Sequence, residues 1–220
     1  MLPSTVHRPL STVAKPLRLG VLVSGKGTNL QAILDAIAQG GLDATVAYVA
    51  CNHDRVQAIE RAERAGIPFG VYLQKEYGTR QAQQHAIAAK LLAEDIDLVV
   101  CAGWDRIFIP EFEATFRGKI INIHPSLLPA FGGGLHAIRD ALEYGVKVTG
   151  CTVHFVTDEL DAGPIISQAT VPILPDDDEA SLAERIHKAE HRLLVEAIKL
   201  YAQGRLKIEG RTVKVLEGND

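Results

Sequence analysis

From residue 17 onward the chain alternates short apolar runs with amphipathic ones. The run Leu17–Val23, Leu-Arg-Leu-Gly-Val-Leu-Val, predicts a buried strand. Residues 29–39 predict a helix, with Leu30, Ile33, Leu34 and Ile37 spaced to share one face. A second strand is expected at 46–51, a charged amphipathic helix at 54–65 ending before Gly66, and a short third strand at 68–73. A helix at 79–94, a β-branched strand at 97–102, a short helical piece at 110–116 and a strand at 119–123 complete this half. Near-continuous apolar strands alternating with helices predict an α/β fold: a doubly wound, mostly parallel sheet with helices on both faces. In such a fold ligands bind at the carboxyl ends of the strands.

The second half reads differently. A helix at 135–144 leads to strands at 148–156 and 164–171, separated by a polar loop at 157–163. The run Asp176-Asp177-Asp178-Glu179 precedes a helix expected at 181–203, where acidic side chains complement the positive end of the helix. Residues 206–215 alternate apolar and polar positions around Glu209-Gly210, the pattern of a terminal hairpin. Residues 1–16 carry Pro3, Pro9 and Pro16 and no apolar core of a secretory signal, so a flexible tail is expected there. No repeat or low-complexity linker interrupts 17–220, which is expected to form a single domain with a β-rich C-terminal part.

Composition narrows the function classes. With 47% hydrophobic and 23% charged residues in 220, the chain can bury a core. A net charge of −4 and 5% aromatics leave neither a basic footprint nor a stacking platform, so no nucleic-acid partner is expected. No apolar stretch approaches the ~20 residues of a membrane helix, so no membrane partner is expected either. Cys51, Cys101 and Cys151 are odd in number and far apart, which fits neither a disulfide framework nor a zinc site. They read as small core hydrophobes, and unpaired thiols fit a reducing, cytoplasmic setting.

Three segments can carry chemistry. Ser24-Gly25-Lys26-Gly27-Thr28-Asn29 joins the first strand to the first helix, where free N–H groups and the helix dipole suit an anion. The spacing is wrong for a Walker loop, and Leu30 stands where a dinucleotide fingerprint needs its third glycine. The second strand also ends in Cys51-Asn52 without an acidic ribose ligand, so a nicotinamide dehydrogenase is disfavoured. What remains is a loop for a small phosphate-bearing ligand, or an ordinary strand–helix turn capped by Thr28 or Asn29. In the second segment, Asn122 and His124 alternate onto the same face of a strand end. An amide donor beside an imidazole suits acyl transfer, and the alternative is a half-buried structural histidine. The third segment runs from His154 into a loop with Thr157, Asp158, Glu159 and Asp161. A carboxylate there can partner an imidazole, and the alternative is an acidic surface turn before Gly163-Pro164. Alternating oxygen ligands are absent from the loop, so no metal is expected.

Ser-Gly-Lys-Gly-Thr-Asn-Leu-Gln at 24–31, Asn-Ile-His-Pro-Ser-Leu-Leu-Pro at 122–129 and Val-His-Phe-Val-Thr-Asp-Glu-Leu-Asp-Ala-Gly-Pro-Ile at 153–165 occur in a telling order and spacing. Together they resemble the phosphoribosylglycinamide formyltransferase family, the folate-dependent glycinamide ribonucleotide transformylases. The resemblance runs from about Leu17 to Leu206. It implies transfer of the formyl group of 10-formyltetrahydrofolate, as co-substrate, to the amine of 5'-phosphoribosylglycinamide in purine synthesis. No metal, nicotinamide or flavin is implied, partners are small-molecule substrates, and a monomer or homodimer is expected. Asn122, His124 and Asp161 match the catalytic trio. Gly27, Thr28 and Asn29 match positions that hold the substrate phosphate, and Glu190 one that contacts its ribose. Arg80, Arg106, Ile107 and Phe108, with Asn122, Thr157 and Asp158, match the folate-binding positions. The chain departs from the pattern at Asp105, where the family often has Met, at His187, after His191, and in a longer loop at Gly132-Gly133-Gly134. The nearest alternative is a 10-formyltetrahydrofolate hydrolase, which uses the same trio with water as acceptor and usually carries an added N-terminal domain. A methionyl-tRNA formyltransferase, expected to have an RNA-binding extension, and a non-catalytic binding module are the remaining alternatives.

Overall fold

The computed structural model describes residues 15–218, so the expected tail lies outside the described residues up to residue 14. The chain divides into two compact units, the first ending at Asn122 and the second beginning at Ile123.

In the first unit five strands run parallel in the order β3-β2-β1-β4-β5: β1 Leu17–Val23, β2 Ala44–Cys51, β3 Phe69–Val71, β4 Leu98–Cys101 and β5 Ile120–His124. Strand β5 carries the chain across the boundary between the units. The connecting helices are α1 Thr28–Ala38, α2 Gln57–Arg64, α3 Gln74–Tyr77, α4 Arg80–Ala93 and α5 Pro110–Thr115. Leu17, Leu19, Val21, Leu22 and Val23 are fully buried, as expected for a central parallel strand covered on both faces. Helix α4 is capped by Thr79, whose hydroxyl accepts from Ala82 N at 3.1 Å. The strand order turns back between β1 and β4, which is the switch point where a doubly wound sheet opens a crevice at its carboxyl edge.

The second unit holds α6 Ala137–Tyr144, β6 Val148–Phe155, β7 Ile165–Pro172, α7 Glu179–Ala202, β8 Leu206–Glu209 and β9 Thr212–Val215. Strands β6 and β7 pair antiparallel, β7 and β9 parallel, and β8 and β9 form an antiparallel hairpin. Helix α7 begins at Glu179, two residues before the sequence predicts. Asp178 accepts from Ser181 N and Ser181 Oγ accepts from Asp178 N, a reciprocal capping box that makes Ser181 the third helical residue. Asp177 is bound by the Arg185 guanidinium. The acidic run therefore serves the helix end, as its position implies.

Candidate active site

The glycine-rich loop follows the buried end of β1. Gly27, with φ of 68°, occupies the N-cap of α1, and no side chain caps the helix. The alternative of an ordinary turn capped by Thr28 or Asn29 does not hold, since these are the first two residues of the helix. A Cβ at Gly27 would sit 2.8 Å from Cα and Cβ of Ala58, so glycine is required by the approach of α2 as well as by φ. Helix α2 braces the loop further: Ala58 N donates to Gly25 O at 3.1 Å, and Arg61 donates to Lys26 O and Gln31 Oε1, both at 2.9 Å. The first-turn N–H groups of a helix lack intrahelical partners, so the fixed turn can receive an anion.

A polar cluster lies just past the carboxyl ends of β1, β2 and β4. Asp105 Oδ1 accepts from Asn52 Nδ2 at 2.6 Å and from Ser24 Oγ at 3.1 Å, while Asp105 N donates to Ser24 Oγ at 3.0 Å. Its other oxygen meets His53 Nε2 at 2.8 Å, and the Arg106 guanidinium is 3.6 Å away. Burial pushes the Asp105 carboxyl up, but the hydrogen bonds from His53 and Asn52 and the nearby Arg106 charge outweigh it. The carboxyl is held below its ordinary range. Sequence reasoning left His53 out, named Ser24 only as the start of the glycine-rich segment, and noted Asp105 only as a departure. The signal available was position, since all follow strand carboxyl ends.

Arg80 is the exposed first residue of α4. Further along the same helix, fully buried Gln84 clamps the folate-matching segment: its amide donates to Ile107 O at 2.9 Å and accepts from Ile109 N at 2.8 Å. Phe108 stacks between Trp104 and Phe112, with ring centroids 6.3 Å and 4.6 Å away, while Ile107 is left 53% exposed. An apolar side chain held out by a buried amide is an available contact for a planar ligand.

In the second unit the loop between β6 and β7 brings Asp161 to His124, the last residue of β5. His124 Nδ1 is 3.5 Å from Asp161 Oδ2, and His124 Nε2 donates to Phe131 O at 3.0 Å. Both ring nitrogens thus face acceptor atoms. Gly133 N donates to Asp161 Oδ2 at 2.8 Å. Phe131 and Asp161 have φ of 55° and 52°, a left-handed conformation that non-glycine residues rarely adopt. At Phe131 that conformation accompanies a carbonyl aimed at the imidazole, and such strain is characteristic of functional sites. The turn back into β7 is tight: a Cβ at Gly163 would lie 1.7 Å from Phe155 O. His154, 2% exposed, approaches the other carboxylate oxygen with Nε2 at 3.7 Å, a neighbour that sequence reasoning did not place in the site.

Of the remaining predicted residues, half-exposed Asn122 precedes His124 by two positions on β5. Thr157 closes on its own loop through Glu159 O at 3.3 Å, and Asp158 is exposed beside it. Glu190 is 4% exposed on α7, where its charge is felt by Cys151 of β6. Among the described residues no group of three His, Cys, Asp or Glu could hold a metal ion.

A doubly wound sheet with a braced glycine turn past the carboxyl end of its first strand defines an α/β protein whose ligand crevice lies at that edge. Residues 17–198 match the Formyl transferase family, and the chain is a member of it. It is 46% identical over 189 residues to Trifunctional purine biosynthetic protein adenosine-3 of Drosophila melanogaster, 85% of this chain. This chain spans only 14% of the length of that relative. It is 45% identical over 197 residues to Phosphoribosylglycinamide formyltransferase of Mycobacterium tuberculosis, covering 90% of each chain. The crystal structure of glycinamide ribonucleotide transformylase 1 from Symbiobacterium toebii has a TM-score of 0.91 and 47% identity, covering 97% of this chain and 100% of that one. The expected mostly parallel α/β fold is thereby confirmed.

Proposed function

We propose that this chain transfers the formyl group of 10-formyltetrahydrofolate to the glycyl amine of 5'-phosphoribosylglycinamide, a step of purine synthesis. The observation that carries the reading is the His124 ring, with one nitrogen on the Phe131 carbonyl and the other facing Asp161. Relatives named phosphoribosylglycinamide formyltransferase support the choice of acceptor. In this reading the glycyl amine attacks the formyl carbon, forming a C–N bond and a tetrahedral oxyanion. The Asn122 amide and the imidazolium of His124 donate to that oxygen. Collapse breaks the bond from the formyl carbon to N10 of the folate. The proton lost by the amine passes to that nitrogen through a water held by Asp161. Gly27, Thr28 and Asn29 take the phosphate and Glu190 the ribose. Arg80, Arg106, Ile107 and Phe108, with Asn122, Thr157 and Asp158, receive the folate. The step balances without a metal or redox cofactor.

One assay tests the reading: consumption of 10-formyltetrahydrofolate with and without 5'-phosphoribosylglycinamide. Consumption only with the acceptor is expected. Equal consumption without it identifies a hydrolase, and none in either case a binding module. Asn122→Ala and His124→Ala are each expected to lower turnover by ~10²–10³, the usual loss for one oxyanion donor. Near-full turnover in both variants would sink the assignment.

A further inference from the structure

His53 commits one of its two ring nitrogens to the Asp105 cluster. Ser24, Asn52 and Arg106 each meet the carboxylate from a different chain segment, and His53 Nε2 donates to its Oδ2 at 2.8 Å. That bond fixes the ring, because a carboxylate only accepts. Nδ1 then points away from Asp105, and the described residues offer it no hydrogen-bond partner. The side chain is 39% exposed, so this nitrogen is open to a ligand. The same carboxylate holds Ser24, the first residue of the glycine-rich loop that the braced Gly27 closes. A single carboxylate thus ties the imidazole to the loop on which an anion would sit.

We propose that His53, oriented by Asp105, is a further contact for the phosphoribosyl end of the acceptor, donating from Nδ1 to a phosphate oxygen. The proposal rests on the reading of the glycine-rich loop as the phosphate seat. An imidazolium between two anionic oxygens, the Asp105 carboxylate and the phosphate, satisfies both ring nitrogens and offsets the negative charge that Asp105 would otherwise present to the ligand. Asp105 is a positioning residue in this scheme, and His53 touches the substrate.

Two substitutions separate the ring nitrogens. In His53→Gln the amide reaches Asp105 but leaves nothing at Nδ1. In His53→Asn the amide supplies a donor near Nδ1 and gives up Asp105. Loss of a hydrogen bond to a charged group is worth a factor of about ten or more in binding. His53→Gln is therefore expected to raise KM for 5'-phosphoribosylglycinamide about ten-fold, with kcat and the KM of the formyl donor unchanged. His53→Asn is expected to recover most of that loss. An unchanged KM in His53→Gln, equal increases in both variants, or an increase in His53→Asn alone would each overturn the proposal. Calorimetric binding of ribose 5-phosphate to both variants gives a readout independent of turnover. If the wild-type chain shows no acceptor-dependent transfer, the formyltransferase reading fails. The ribose 5-phosphate titrations still decide His53, with weakening in His53→Gln alone expected and any other pattern overturning it.

Discussion

Asp161 has His124 at 3.5 Å from one oxygen and His154 at 3.7 Å from the other, and the two rings sit in unlike surroundings. Burial pushes the His154 ring below the ordinary histidine range, and His124 acts in the same direction. The Phe155 carbonyl and Asp161 oppose it without prevailing. The unfolded chain therefore binds a proton at His154 more readily than the folded chain does. Stability from this residue is present above the ordinary histidine pKa near 6.5 and is lost as pH falls below it. Between about pH 7.5 and about pH 5.5 the wild type is expected to lose melting temperature, and His154→Gln to lose less. Parallel melting curves across that range would mean that His154 does not drive the change. The approach of Asp161 to His124 was legible in the sequence, because each falls in a recognisable segment. The place of His154 was not. The register shifts between Val153 and His154, and such a bulge breaks the two-residue alternation by which a strand's faces are read.

Glycine at position 27 has two independent reasons, and they set the behaviour of α1 and α2 together. An alanine there would adopt φ near 68° and press on Ala58, whose Cα and Cβ lie 2.8 Å from the added atom. Gly27→Ala is expected to destabilise the chain by about 1–3 kcal/mol, the usual cost of a strained backbone position, measured by urea unfolding. It should also weaken acceptor binding more than binding of the formyl donor. A stable variant with both affinities intact would show that the turn tolerates a left-handed alanine. At this scale the apolar periodicity located most elements but not their ends. Helix α2 begins at Gln57 rather than 54, because the residues after β2 turn through Arg55, at φ of 54°. Helix α3 spans only Gln74–Tyr77, too short for any period to register. The start of α7 was missed because Ser181, a natural cap by type, instead reciprocates for Asp178.

For the molecule as a whole, alternation of strand and helix carried the doubly wound order through β5, since each buried parallel strand is a continuous apolar run. The division at Asn122 and Ile123 left no trace in the sequence, because it falls inside such a run with no polar linker to mark it. Among the described residues no helix is long and apolar enough to cross a membrane. The three cysteines are free, and Cys51, Cys101 and Cys151 are 0%, 2% and 0% exposed. Burial pushes all three thiols up, that of Cys151 to about 12, so each is both shielded and poorly nucleophilic while folded. Cys51 ends β2 and Cys101 ends β4, the two neighbours of β1, whereas Cys151 lies on β6. An alkylating reagent should therefore leave all three untouched in native buffer. Along a urea series Cys51 and Cys101 should react in step, as peptide mass spectrometry can record, and early labelling of either one alone would contradict a shared core around β1. Cys151 follows its own curve or joins theirs according to whether the second unit opens separately. Three thiols that carry no assigned chemistry thus act as native reporters of breathing, one pair for one half of the chain and a single probe for the other.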